Sequence, residues 1–168
     1  MFFGVSALQT FHVLVSLAGI ASGLVVLFGM MRSRRMSQLT AFFLATTLIT
    51  TLTGFVFPFN GFTPAIGVGI ISTIIMAICL YARYGRRMDG AWRGTCVVTA
   101  VISLYLNVFV LVVQLFLKMP SLHALAPNGN EPPFGIAQGA VLVFFLVAGF
   151  LAWRHFRPAS AAMIGQPA

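Results

Sequence analysis

Residues 94–117 read GTCVVTAVISLYLNVFVLVVQLFL, twenty-four positions without a charge or a proline. An α-helix rises about 1.5 Å per residue, so about twenty such residues cross the roughly 30 Å hydrocarbon core of a bilayer. The stretch is therefore read as a membrane span. Its polar residues are not scattered: Thr95, Thr99, Ser103 and Asn107 recur every four positions and Gln114 follows seven later. That spacing puts one polar stripe along a single helical face, with Asn107 near midplane.

Outward from this stretch the same test finds four more uncharged runs, at 11–31, 39–57, 64–80 and 134–153. The third is extended to 84 by placing Tyr81, Ala82 and Tyr84 at headgroup depth, with Arg83 snorkelling. The composition agrees. Of the 168 residues, 60% are apolar and 7% charged, against about 45–50% and about 25% in soluble domains, and the mean hydropathy is +1.00. Soluble, disordered and disulfide-stapled classes are excluded. The expected fold is all-α: an integral membrane bundle of five transmembrane helices. It forms one domain over 1–157, followed by a short flexible cytoplasmic tail at 158–168.

Nine of the ten basic residues fall in three groups: Arg32, Arg34 and Arg35; Arg83, Arg86, Arg87 and Arg93; and Arg154 and Arg157. These are alternate connections, so five crossings place all three on one side, which the positive-inside rule makes cytoplasmic. The N-terminus is then outside and the C-terminus inside, and Lys118 is left on the outer side. Residues 1–31 carry no Lys or Arg, whereas a signal peptide carries its charge ahead of the apolar run, so the first stretch is read as a retained span. The net charge of +8 serves topology and anionic lipid rather than nucleic acid.

Helices in lipid associate through small residues and interhelical hydrogen bonds. Gly19 and Gly23, then Gly69 within the row Ala65, Gly69, Thr73 and Ala77, then Gly135 and Gly139, are the expected packing positions. The second span offers Thr46, Thr50 and Gly54 on one face. Packing within the chain is the ordinary reading, and contact with another subunit or self-association the other. All eight prolines fall at span ends or in loops, which disfavours carriers built on broken helices.

Candidate chemistry is sparse. No Asp, Glu, Lys or Arg lies in a hydrocarbon core, which disfavours proton pumps and relays. Asp89 and Glu131 fall on opposite sides and cannot form an acid/base pair. The stripe through Ser103, Asn107 and Gln114 either hydrogen-bonds the Thr-rich second span or lines a polar cavity. His12 is the one histidine able to lie within a span. It is an interfacial or hydrogen-bonded side chain, or a haem ligand with His123 and Met119 of the outer loop nearby. A second intramembrane His is missing, so no cofactor and no metal is predicted. Cys79 and Cys96 are read as inert thiols. Nucleotide, zinc-protease, hydrolase and redox motifs are absent. The outer loop 118–133, KMPSLHALAPNGNEPP, is apolar enough to rest on the bundle mouth.

FHVLVSLAGIASGLVVL at 11–27, TGF at 53–55 and LKMPSLHALAP with EPPF at 117–134 together resemble small bacterial multi-pass membrane proteins. The resemblance implies a bacterial inner membrane and no particular activity. The expected function is a non-enzymatic accessory or assembly subunit of a larger membrane complex, with the bilayer and other subunits as partners. Two alternatives stand beside it: a haem-binding redox protein using His12, and a carrier or binder of a small apolar or lipid-like molecule on the polar face of the fourth span.

Overall fold

A computed structural model describes residues 7–57 and 64–157. Every regular element among them is helical: α1 (Ala7–Met31), α2 (Ser37–Gly54), α3 (Pro64–Leu80) running on into a π-helical turn (Tyr81–Gly85), α4 (Trp92–Lys118), the short α5 (Pro120–His123) and α6 (Pro132–His155). The expectations for the first six residues, for the loop 58–63 and for the tail 158–168 lie outside the described residues.

The helices fall where the apolar runs do, but their ends differ because a helix stops at a turn rather than at the last apolar residue. α2 ends at Gly54 instead of 57, as the amides of Phe55 and Val56 fold back on Leu52 and Thr53. α1 closes with Ser33 in the left-handed region at φ 55°. The amides of Arg34 and Ser33 return to the carbonyls of Gly29 and Met30, the Schellman arrangement usually completed by glycine.

Among the described residues, four helical stretches are long and apolar enough to cross a membrane: Ala7–Met31, Pro64–Gly85, Trp92–Lys118 and Pro132–His155. α2 is not among them; it has 18 residues, six of them threonine. Its threonines are inside, with Thr40, Thr46, Thr47, Thr50 and Thr51 all buried.

α4 is the central strut and packs on α1, α2, α3 and α6. Around it Leu27, Phe43, Leu44, Met76, Val97 and Leu104 are almost fully enclosed. Close approach depends on two glycines of α1. A Cβ on Gly23 would sit 2.6 Å from Leu104 Cδ1 and 2.8 Å from the Phe43 ring, and one on Gly19 would sit 3.1 Å from Thr46 Oγ1. Gly135 and Gly139 differ from the expectation for α6: among the described residues a Cβ there meets nothing within 4 Å, so they form no packing seam with the described helices. A small-xxx-small spacing marks a shallow groove and does not say what fills it.

Hydroxyls contribute less between helices than their number implies. Thr46, Thr51, Thr73 and Thr99 each donate to the carbonyl four residues back in their own helix, the usual resort of a buried hydroxyl. Between helices, Asn107 Nδ2 donates to Thr47 Oγ1 at 3.3 Å and Gln138 Nε2 to the Phe109 carbonyl at 3.1 Å, while Ser16 Oγ, which donates to the His12 carbonyl at 2.7 Å, lies 3.3 Å from Thr50 Oγ1.

The arginine groups meet at one end. Arg83 Nη2 donates to the Ser37 carbonyl at 3.0 Å, Arg93 Nη1 to the Trp153 and Phe156 carbonyls, and the Arg157 amide to Ser33 Oγ at 3.1 Å. Arg93 therefore caps the C-terminus of α6, where a cation is favoured by the helix dipole. Tyr81, Trp92 and Arg86 stack there as well, with Tyr81 and Trp92 edge to face at 5.3 Å and the Arg86 guanidinium 5.5 Å from the Trp92 ring. The opposite end carries Lys118, and the two are called the arginine end and the lysine end below.

Candidate functional site

The packing of α3 opens a cleft. Its buried residues are Met76 and Cys79, joined by Ala82 of the π turn, all at the arginine end. From Pro64 to Thr73 none is buried. The reason is in the side chains: Ala65, Gly69 and Ser72, which face the gap, are too small to fill the space towards α1 and α4. The result is a cavity of about 780 Å³ at the lysine end between α1, α2, α3 and α4, within the usual 300–1,000 Å³ range for small-molecule sites. The ring of Phe55 bridges its α2 and α3 sides, and a Cβ on Gly69 would lie 3.0 Å from Phe55 Cζ.

The lining is mostly apolar, with most of its polar groups on α1, α2 and α4. The α3 side is apolar, with Ile66 and Val68 and a single hydroxyl, Ser72. The α4 side carries Asn107, Gln114 and Lys118, and α1 and α2 add His12, Ser16, Thr50 and Thr51. Val13, Leu17, Val110 and Leu111 lie among these polar groups. Along α4, Asn107 to Lys118 is eleven residues, about 16 Å of helix. Asn107 is half-buried and tied to Thr47, whereas Gln114 and Lys118 are exposed.

His12 is held on α2. Its Nδ1 lies 2.8 Å from Thr53 Oγ1, and its ring meets Phe57 edge to face at 5.2 Å. The Thr53 hydroxyl already donates to the Ile49 carbonyl at 2.8 Å. Its one proton is committed, so Nδ1–H is the donor to Thr53 and the lone pair stays on Nε2.

Of the residues singled out from sequence, the structure gathers His12, Asn107 and Gln114 around one cavity and Gly69 at its edge. Ser103 is one turn deeper, 2% exposed, off the cavity wall and without a hydrogen-bond partner for its hydroxyl among the described residues. His123 sits on α5, exposed and off the wall, so it does not join His12; Met119 of the same loop does line the cavity. Among the described residues no three His, Cys, Asp or Glu side chains gather as a metal site.

Lys118 and Ser16 are wall residues that sequence reasoning did not assign. The signal for Lys118 was present, since it follows Gln114 by four and extends the same face. Its charge was read for topology alone. Ser16 follows His12 by four on α1 in the same way.

Compared with known proteins, the chain matches no protein-family profile, no curated protein and no solved structure.

Proposed function

We propose that this is a five-crossing protein of a bacterial inner membrane that holds a small, largely apolar amphiphile in the cleft between α1, α2, α3 and α4, as a binder or carrier. The cleft itself carries the reading: a cavity of about 780 Å³ lined mostly by apolar side chains, with a few polar groups from α1, α2 and α4, suits a molecule with a long apolar part and few polar groups. An accessory subunit needs no such space within its own bundle. α2 counts as the fifth crossing, because its 18 residues rise about 27 Å, close to the roughly 30 Å hydrocarbon core, with its threonines turned inward and Phe42, Ile49 and Leu52 exposed. The arginine end faces the cytoplasm and the cleft opens towards the outer side, in line with the positive-inside rule.

The test is purification of the full chain from its native membrane in mild detergent, with a visible spectrum and mass spectrometry of what elutes with it. The expected result is a colourless protein carrying an amphiphile at near-stoichiometric amount, displaced when Val68→Trp and Val110→Trp fill the cleft. A Soret band lost on His12→Ala would make this a haem protein instead. Partner proteins at fixed ratio, with an empty cleft, would return the accessory-subunit reading.

A further inference from the structure

We infer that the ligand is an anionic amphiphile, a carboxylate or phosphate head on a single apolar tail, with the head on Lys118 and Gln114 and the tail running along α3 towards the floor. This rests on the cleft being a ligand site and adds the chemical class of what fills it.

The charge distribution argues for it. The chain has two acidic residues, Asp89 and Glu131, and neither lines the cleft. Asp89 is in the connection at the arginine end, where its carbonyl accepts the Trp92 amide. Glu131 is engaged in its own loop: Oε1 accepts the Asn128 amide at 3.1 Å and Asn128 Nδ2 at 2.9 Å, and Oε2 accepts the Asn130 amide at 3.0 Å. Lys118 is thus a cleft-lining ammonium that forms no ion pair with either carboxylate, while the nine arginines belong to the other end.

Below Lys118 the wall carries no carboxylate and no further Lys or Arg. Gln114, one turn down, can donate to the same head, and Asn107 marks the floor about 16 Å along α4. Val13 and Leu17 of α1 and Val68 of α3, with Val110 between the two amides on α4, offer apolar contact over that depth. Lys118 and Gln114 are exposed at the mouth of the cleft, where an effective dielectric of about 20 still makes the sign of the ligand's charge felt. A cationic head is repelled by Lys118. A neutral hydroxyl head accepts a hydrogen bond from the ammonium but leaves its charge unpaired. An anionic head gains a charge-assisted bond, roughly twice as strong as a neutral one. The place of Lys118 in the last turn of α4 also suits the helix dipole, so the test must separate that role from ligand binding.

The full chain in nanodiscs of phosphatidylcholine is titrated with radiolabelled laurate, lauryl phosphate, lauryl alcohol and lauryl trimethylammonium, with acetate and inorganic phosphate as tail-free competitors. Laurate and lauryl phosphate are expected to bind about ten-fold or more tightly than the alcohol, with the trimethylammonium compound weakest and the tail-free anions without effect. Lys118→Gln is expected to abolish the preference for the anion while leaving alcohol binding in place, and Lys118→Arg to keep it; a role confined to the helix dipole would move neither. Equal binding of laurate and alcohol, unchanged in Lys118→Gln, overturns the assignment of the anion and leaves the cleft a ligand site. Displacement of laurate by acetate or phosphate overturns the tailed class in favour of a free anion. Failure of every lauryl compound to bind the wild type overturns the cleft reading and this inference together.

Discussion

Gly23 and Gly139 occupy equivalent motifs and have opposite surroundings. Replacing Gly23 by Val drives a side chain into Leu104 and Phe43, both 1% exposed, and overpacking of this kind costs about 1–3 kcal/mol. Gly139→Val meets open space and is expected to stay within about 0.5 kcal/mol of wild type. Thermal unfolding of both variants in one detergent checks the contrast. Glu131 provides a pH-dependent case. Desolvation raises its pKa, but hydrogen bonds from the Asn128 amide, the Asn128 side chain and the Glu131 and Asn130 amides outweigh it and hold the carboxyl below the ordinary carboxylate range. A depressed folded pKa means the loop is stabilised above the unfolded value and loses that support as pH falls through the folded one. The protection factors of the amides over residues 128–131, with the intrinsic base catalysis of exchange divided out, are therefore expected to fall on acidification, and Glu131→Gln to remove that fall. At this scale the sequence was informative where spacing carried the signal, as for Asn107 and Gln114. It was silent on Lys118, whose charge answers a topological question before a chemical one, and on which threonines would bond back to their own helices.

The two ends of α3 behave as different elements. Met76 and Cys79 are 1% and 0% exposed, whereas the helix from Pro64 to Thr73 stands off its neighbours around the cleft. Met76→Trp is expected to cost about 1–3 kcal/mol by overpacking, and Val68→Trp at most about 1 kcal/mol, because the cleft receives the ring. Thermal unfolding distinguishes them, and the same Val68→Trp variant is expected to lose the bound amphiphile. The helices themselves were readable from uncharged runs of bilayer length. Less readable were their ends: the return of Phe55 and Val56 on α2, the π turn at Tyr81–Gly85 and the short α5 depend on turn geometry that hydropathy does not encode. The polar stripe on α4 allowed for a cavity, but its place against α3 was not readable, because residues 64–73 look like an ordinary apolar span until their small side chains are set against α1 and α4.

For the whole molecule, the alternation of basic connections anticipated that the arginine groups would share one end, and Arg83, Arg93 and Arg157 now tie α2, α6 and the α1–α2 turn together there. Five crossings with the arginine end inside predict that a cysteine at Arg34 is labelled by a membrane-impermeant maleimide only after the membrane is opened, and one at Ser121 in intact cells. Cys79 and Cys96 are buried and serve as the unlabelled background. The central claim is that the space beneath Lys118 holds an amphiphile, and native mass spectrometry of the full chain released from its own membrane addresses it most directly. The account predicts one anionic amphiphile bound per chain in the wild type and none in the Val68→Trp, Val110→Trp double variant. An unliganded wild type, or the same lipids at the same occupancy in both proteins, would contradict it.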